Sequence, residues 1–139
     1  MLKASDVLAR AAFLSGSDVK KTEIHGMSQR GGGVTSTVRF GKKVYSPLAP
    51  SGEIDFLVAF DKTEGEKYRG EVTRGGKALF AEEKMLKRLP DARFANIALL
   101  GRLAKMLDIP AEIWEKAIAA EVPAKYVAAN LRAWKIGGE

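Results

Sequence analysis

The chain has 139 residues, of which almost half are apolar and 29% are charged, a composition typical of a soluble globular domain. This length predicts one domain with a hydrophobic core of its own. Cysteine is absent, which excludes disulfides, cysteine nucleophiles and thiolate metal sites, including the usual ligands of an iron–sulfur cluster.

The net charge is +6, and the lysines and arginines that carry it are scattered among acidic residues. Nucleic-acid binding usually needs a basic stripe with interleaved aromatic residues, and neither is found in the sequence, so no nucleic-acid partner is expected. The basic excess suits an acidic partner, but a solvated surface is the stronger explanation, because net charge bears first on solubility. No run of residues approaches a membrane span and the beginning lacks a secretory pattern, so we expect no membrane association and a cytoplasmic location.

The first third of the chain predicts a helix followed by two strands. Apolar residues at helical spacing predict an amphipathic helix over residues 2–15, which Gly16 ends. Residues 18–24 predict a short strand that enters a glycine-rich loop. The alternation of residues 34–40 predicts a second, half-buried strand, and residues 44–45 are expected to add a short antiparallel piece.

The middle of the chain contains one strongly apolar segment. Residues 54–60 are almost all apolar and predict a strand that is buried on both faces. A short helix is expected over residues 64–69. Gly75-Gly76 is then expected to lead into a weak strand over residues 77–80.

From residue 81 onward the pattern is helical. Residues 82–89 predict a short helix, and residues 94–107 predict a deeply buried one in which Gly101 permits close packing on a neighbour. Pro110 and Pro123 mark the beginnings of two further helices. Their apolar faces are expected to consist of Ile113, Trp114, Ala117 and Ile118 in the first, and of Tyr126, Val127, Leu131 and Trp134 in the second. Gly137-Gly138 is expected to release the chain.

This order of elements predicts an α/β fold, more specifically a three-layer α/β/α domain with a mixed sheet and a helical C-terminal third. The segment E-I-H-G-M-S-Q-R-G-G-G-V at residues 23–34 is the main candidate site, because loops between strands often carry function. Gly31 to Gly33 can turn sharply and expose consecutive amides, and Arg30 adds a planar cation. Together they suit a phosphate or a carboxylate. The alternative is a long hairpin turn whose glycines serve geometry only.

Other motifs of chemistry are missing from the sequence. His25 is the only histidine, so a two-histidine metal site is excluded, and His25 is either a hydrogen-bonded structural residue or a proton shuttle. There is no G-x-S-x-G elbow and no Walker lysine. Glu82 and Glu83 are adjacent and therefore lie on different helical faces. The sequence thus shows no autonomous active site.

Four segments resemble the gamma subunit or gamma domain of 2-oxoacid:ferredoxin oxidoreductases, and most of all the beta subunit of indolepyruvate ferredoxin oxidoreductase. They are the segment at 23–34, V-R-F-G-K-K-V-Y-S-P-L at 38–48, N-I-A-L-L-G at 96–101 and V-P-A-K-Y-V-A-A-N-L at 122–131. The resemblance implies one gamma-type domain over residues 1–139, with a sheet between helices. Relative to the family pattern, the chain lacks the N-terminal glycine-rich turn and part of the middle between Gly76 and Asn96.

The resemblance also implies a function. In the family, thiamine diphosphate, magnesium and iron–sulfur clusters lie on other subunits, which convert a 2-oxoacid such as pyruvate to an acyl-CoA and reduce ferredoxin. This chain is then expected to be a non-catalytic subunit without a cofactor, whose partner is the thiamine-diphosphate subunit and which meets ferredoxin only indirectly. Carried over by position, the residues for substrate or coenzyme A binding, or for the interface, are His25, Met27, Gln29, Arg30, Gly31, Gly32 and Asn96.

Two other interpretations remain open at the level of the sequence. The chain could be a stand-alone module that binds a small ligand or anion, or a self-associating structural relative of the gamma domain. The missing opening would leave a sheet edge uncovered, and unpaired edges invite association with a partner or with a second copy.

Overall fold

The computed structural model describes residues 2–25, 34–46 and 52–139. The helices are α1 (Leu2–Leu14), α2 (Lys62–Lys67), α3 (Glu83–Arg88), α4 (Ala95–Ala104), α5 (Ala111–Glu121) and α6 (Val127–Gly138). The strands are β1 (Asp18–His25), β2 (Val34–Gly41), β3 (Ile54–Ala59) and β4 (Val72–Phe80). Short 3-10 turns occupy Arg69–Glu71, Ala92–Phe94 and Ala124–Tyr126. The α/β class is therefore confirmed, as is the helical C-terminal third.

Helix α1 ends as the sequence predicts, at Gly16. The Gly16 N–H donates to the Phe13 carbonyl at 3.0 Å, and the Ser17 N–H donates to the Ala12 carbonyl at 3.1 Å. This pair of bonds is a Schellman motif, and it requires a residue with positive φ after the last turn. Gly16 has a φ of 98°, so glycine supplies a conformation that other residues rarely adopt.

Strands β1 and β2 form an antiparallel hairpin whose register runs from Asp18↔Gly41 to His25↔Val34. The expected strand at residues 44–45 is wrong, because residues 43–46 have no regular secondary structure. The Val44 N–H instead donates to Oδ2 of Asp18 at 2.8 Å. A side-chain acceptor thus takes the donor that a strand partner would have used.

Strands β3 and β4 are parallel and are connected through α2. Their register shifts between Ile54↔Val72 and Phe56↔Lys77, so β4 carries extra residues there. Gly75, with a φ of 87°, and Gly76 lie in this irregular part of β4, whereas the sequence placed both glycines before the strand. A Cβ on Gly76 would come within 2.7 Å of the Asp55 carbonyl oxygen, which explains why no side chain is tolerated at this point.

The β3–β4 pair lies between helices. On one face, Gly65 of α2 is so close to Ala59 and Phe80 that a Cβ there would lie 2.5 Å from each. On the other face, Leu79 belongs to the main hydrophobic cluster together with residues of α4, and the partly buried Val58 packs against this cluster. Helix, sheet and helix thus follow one another, as expected for a three-layer domain.

The prediction that residues 54–60 are buried on both faces is wrong. Only Ala59 is buried, whereas Phe56, Leu57 and Val58 are partly exposed. Within the described parts of the chain, β3 pairs with β4 alone, and the β1–β2 hairpin forms a separate two-stranded sheet. An apolar strand with a single neighbour keeps part of its surface accessible.

Helix α4 is the centre of the core, and its deep burial confirms the sequence prediction. Ile97, Ala98, Leu99, Leu100 and Leu103 are all almost completely buried. Helix α6 crosses α4 closely, because a Cβ on Gly101 would collide with the Trp134 carbonyl and one on Gly137 would collide with the Ala98 backbone. The role of Gly101 is therefore confirmed.

The C-terminal helices agree with the predicted pattern except at two points. Trp114, Ala117 and Ile118 of α5 are fully buried, as expected. Tyr126 is 46% exposed, because it lies in the 3-10 turn before α6, where its backbone carbonyl accepts a hydrogen bond from Nδ2 of Asn130 at 2.9 Å. Gly137 and Gly138 continue α6, since the contact with α4 keeps the helix intact. Of the helices in the described ranges, none is long and apolar enough to cross a membrane.

Candidate functional site

The β1–β2 hairpin pairs the two residues that flank the glycine-rich connection, His25 and Val34. Pairing continues to His25↔Val34, so residues 26–33 begin and end on adjacent strands. At about 3.4 Å per residue, these ends lie roughly 24 Å along the hairpin from Asp18 and Gly41. Met27, Gln29, Arg30, Gly31 and Gly32 fall outside the described residues, and so does the side chain of His25. The predicted anion site on this loop therefore stays a prediction.

Lys21 fastens the hairpin to helix α1. Its Nζ forms an ion pair with Oδ1 of Asp6 and donates to Oε1 of Glu23 at 3.1 Å. Partial burial lowers the pKa of Lys21, but the hydrogen bonds to Asp6 and Glu23 raise it by more, so the net pKa is raised. Lys21 is therefore a permanently charged structural cation, and it is unsuited to act as a general base.

Asp18 organises the other end of the hairpin. Its carboxylate accepts the Val44 N–H, and this bond is the main reason why the pKa of Asp18 is lowered, with Lys20 and Lys43 adding to the effect. Nearby, Nη1 of Arg39 donates to the Ser46 carbonyl at 3.0 Å. Side-chain contacts thus tie residues 43–46 to the hairpin in place of a third strand.

Asn96, the remaining candidate from the sequence, occupies the second position of α4. It is 9% exposed, and its Oδ1 accepts the N–H of Ile97 at 2.8 Å. A buried amide at the beginning of a helix is well placed to position neighbouring backbone groups. The described residues do not test whether Asn96 meets the loop, so its assignment to the site also stays a prediction.

The chemistry that the described residues can support is limited. No group of three or more histidine, cysteine, aspartate or glutamate side chains in these parts of the chain is placed to hold a metal ion. The complete sequence has no cysteine, so the chain lacks the ligands that iron–sulfur clusters usually need. What the arrangement does provide is a braced hairpin that carries a glycine-rich, arginine-containing connection.

Comparison with known protein families shows where this chain belongs. The sequence profile described as "Pyruvate ferredoxin/flavodoxin oxidoreductase" matches residues 1–90 and 81–139, and thus the complete chain. The chain belongs to this family. The resemblance first seen in the segments around residues 23–34 and 96–101 is thereby confirmed.

Relatives within the pyruvate ferredoxin/flavodoxin oxidoreductase family are similar over nearly the whole chain. Indolepyruvate oxidoreductase subunit IorB of Pyrococcus horikoshii is 28% identical over 177 aligned positions, which cover 99% of this chain and 88% of the relative. Because this chain has only 139 residues, the alignment leaves residues of the relative without a counterpart here. This agrees with the prediction that the chain is shorter than the family pattern.

Solved structures show the same fold. The gamma subunit of a keto/oxoacid ferredoxin oxidoreductase from Geobacter sulfurreducens has a TM-score of 0.74 at 23% identity, covering 97% of this chain and 87% of that one. A 2-oxoglutarate:ferredoxin oxidoreductase from Magnetococcus marinus has a TM-score of 0.79 at 18% identity, covering 98% of this chain but only 28% of that one. The fold of this chain therefore also occurs as one part of a longer polypeptide.

One feature of the structure was missed by the sequence reasoning, namely a cleft where α4, α5 and α6 meet. Trp114 and Trp134 line this cleft together with Lys105 and Lys135. Helical spacing assigned both tryptophans to apolar faces, but spacing within one helix does not show which other helices it meets. No signal in the sequence placed these four residues together.

Proposed function

We propose that this chain is the non-catalytic, gamma-type subunit of a 2-oxoacid:ferredoxin oxidoreductase that acts on indolepyruvate or a pyruvate-like 2-oxoacid. Membership of the pyruvate ferredoxin/flavodoxin oxidoreductase family over the whole chain is the observation that carries the proposal. Thiamine diphosphate, magnesium and the iron–sulfur clusters then belong to partner subunits. The lack of cysteine in this chain supports that division for the clusters.

The partly exposed apolar residues of β3 support the proposal that a partner subunit covers this sheet. Phe56, Leu57 and Val58 are partly exposed on a strand that is hydrogen-bonded only to β4 within the described residues. Exposed strand edges and apolar surface favour association. A thiamine-diphosphate subunit that covers this region would remove the apolar side chains from water.

In this proposal, the connection between β1 and β2 shapes the approach to the thiamine-diphosphate centre of the partner. Arg30 and neighbouring amides would receive an anionic group, which is either the substrate carboxylate or a phosphate of coenzyme A. The other assigned residues, His25, Met27, Gln29, Gly31, Gly32 and Asn96, would complete the same surface. The contacts of Lys21 with Asp6 and Glu23 support the role, because they hold the hairpin that carries this connection.

Reconstitution tests the subunit assignment. The chain is co-expressed with the thiamine-diphosphate subunit and with the cluster-bearing subunit, if that is separate, and the reduction of ferredoxin is followed with 2-oxoacid and coenzyme A present. We expect the chain to co-purify with its partners and the activity to require it. Turnover by this chain alone, or failure to associate with any thiamine-diphosphate subunit, would contradict the proposal.

The role of Arg30 is tested in the same complex with Arg30→Ala. Loss of a hydrogen bond to a charged group is worth about 1.5–3 kcal/mol, so we expect KM for either the 2-oxoacid or coenzyme A to rise by about tenfold or more. Arg132→Ala, on an exposed position of α6, serves as the matched control and should leave both constants unchanged. If Arg30→Ala also leaves both unchanged, the anion-binding role is wrong even though the subunit assignment stands.

A further inference from the structure

We infer that the cleft between α4, α5 and α6 is a binding site for a small carboxylic acid with a flat apolar body. The cleft has a volume of about 340 Å³, which is near the lower end of the roughly 300–1,000 Å³ found for small-molecule sites. It lies where α4 and α6 end and α5 begins. Ala104, Ile109 and Ala111 supply its aliphatic lining.

Two tryptophans form the aromatic part of the cleft. The ring centroids of Trp114 and Trp134 are 6.3 Å apart with an interplanar angle of 34°. Flat apolar groups pack well against indole rings at such separations. Trp114 is fully buried and is fixed by the core behind the cleft, so Trp134, which is partly exposed, offers the accessible indole surface.

The same tryptophans each carry a buried hydrogen-bond donor without an acceptor in the described part of the chain. Nε1 of Trp114 and Nε1 of Trp134 are both buried, and neither has a hydrogen-bond partner among the residues that the structure describes. A buried donor without an acceptor costs about 1–3 kcal/mol, so an acceptor that entered the cleft would recover part of this. Because both nitrogens are covered and the Trp114 ring is fixed in the core, a ligand oxygen reaches Nε1 of Trp134 only after a small movement of that ring.

The charges around the cleft favour an anion. Lys105 and Lys135 line it, both are exposed, and neither forms an ion pair with any residue in the described part of the chain. Glu139 also lines the cleft, but its side-chain carboxylate is already paired with Arg88. Helix α5 also begins here, at Ala111, without a side-chain cap, and the first amides of a helix favour negative charge.

The cleft lies at the opposite end of α4 from Asn96, the assigned residue whose side chain the structure describes. Lys105 follows Asn96 by nine positions, which corresponds to about 13 Å along a helix. None of the residues that line the cleft belongs to the connection at residues 26–33. The carboxylate site and the subunit assignment are tested by different experiments, so either can be wrong without the other.

Tryptophan fluorescence provides a direct test, because the chain has only two tryptophans and both line the cleft. The full chain is titrated with phenylacetate, with the uncharged phenylacetamide and with inorganic phosphate. We expect a saturable change with phenylacetate, binding at least about tenfold weaker for the amide because it lacks the charge, and no change with phosphate. Absence of saturation, or equal affinity for acid and amide, would overturn the inference.

Substitutions then locate the site. The double variant Lys105→Gln/Lys135→Gln should weaken phenylacetate binding about tenfold, and Ala104→Leu should abolish it by filling the cleft. Lys42→Gln, on an exposed turn after β2, is the control and should bind as the natural chain does. Unchanged affinity in the double lysine variant, with an unchanged urea midpoint as proof of folding, would refute the site.

Discussion

At the scale of single residues, the hairpin is held by charged groups that bridge elements. Lys21 joins β1 to α1 through Asp6, and Asp18 joins β1 to the segment after β2 through the Val44 N–H. These side-chain contacts hold the hairpin in place, as backbone pairing with further strands would do in a larger sheet. Because the Val44 contact lowers the pKa of Asp18 and depends on its ionised carboxylate, it makes the fold sensitive to acid.

Asp18 gives a testable pH dependence. Its pKa in the folded chain lies below the ordinary value of 3.8, so the stabilisation is present above that value and is lost as the pH falls through the folded pKa. In Asp18→Asn the amide oxygen can still accept the Val44 N–H but does not titrate. We therefore expect the free energy of unfolding, measured with urea, to fall less between about pH 5 and pH 3 than in the natural chain. An equal or larger fall would contradict the role of this carboxylate.

At the scale of elements, small residues set the distance between α4 and α6. Helices usually pack about 8–10 Å apart, and side chains at the crossing hold them there. Here Gly101 faces the backbone of α6 and Gly137 faces the backbone of α4. The crossing therefore brings the two backbones into direct contact.

Gly137→Ala tests this crossing. Alanine favours a helix over glycine by about 1 kcal/mol, but the added Cβ collides with Ala98, and overpacking typically costs about 1–3 kcal/mol or more. We expect a net loss of stability in urea unfolding. Gly70→Ala, where nothing lies within 4 Å of the added Cβ, is the control and should unfold almost as the natural chain does. A Gly137→Ala chain as stable as the control would disprove the close crossing.

At the scale of the whole molecule, the two sheets are joined through helices. Within the described ranges, no ladder connects the β1–β2 hairpin to the β3–β4 pair. Helix α1 contacts both strands of the hairpin and also α4 and α5, so the helical core links the two parts. A sheet divided in this way leaves strand edges available to a partner.

This organisation predicts that a partner stabilises the chain. If the thiamine-diphosphate subunit covers β3, adding it in excess should raise the melting temperature of this chain, and the rise should grow with the concentration of the partner. A fluorescent dye that binds apolar surface should bind this chain less as the concentration of the partner rises. Dye binding that stays unchanged while the melting temperature rises would show that the partner contacts a surface other than β3.

Several features could be determined from the sequence alone because their signals are local. The cap at Gly16, the alternation of β2, the apolar stripe of α4 and the proline at the beginning of α5 each depend on neighbours within a few residues. The family was visible from the segments around residues 23–34 and 96–101 for a similar reason, since such motifs are contiguous. The loop residues Met27, Gln29, Arg30, Gly31 and Gly32 were selected in this way, and their role awaits the tests above.

Only the tertiary structure decided which elements become neighbours. The apolar run at residues 54–60 indicates a strand but cannot indicate that β3 pairs only with β4 in the described ranges, so the predicted burial on both faces is wrong. Gly137 was expected to end a helix, yet a contact with Ala98 keeps it inside α6. The cleft between α4, α5 and α6 is likewise formed by contacts between helices that are separate in the sequence. Burial and proximity are set by contacts between residues far apart in the chain, and the spacing of residues within one segment carries no record of them.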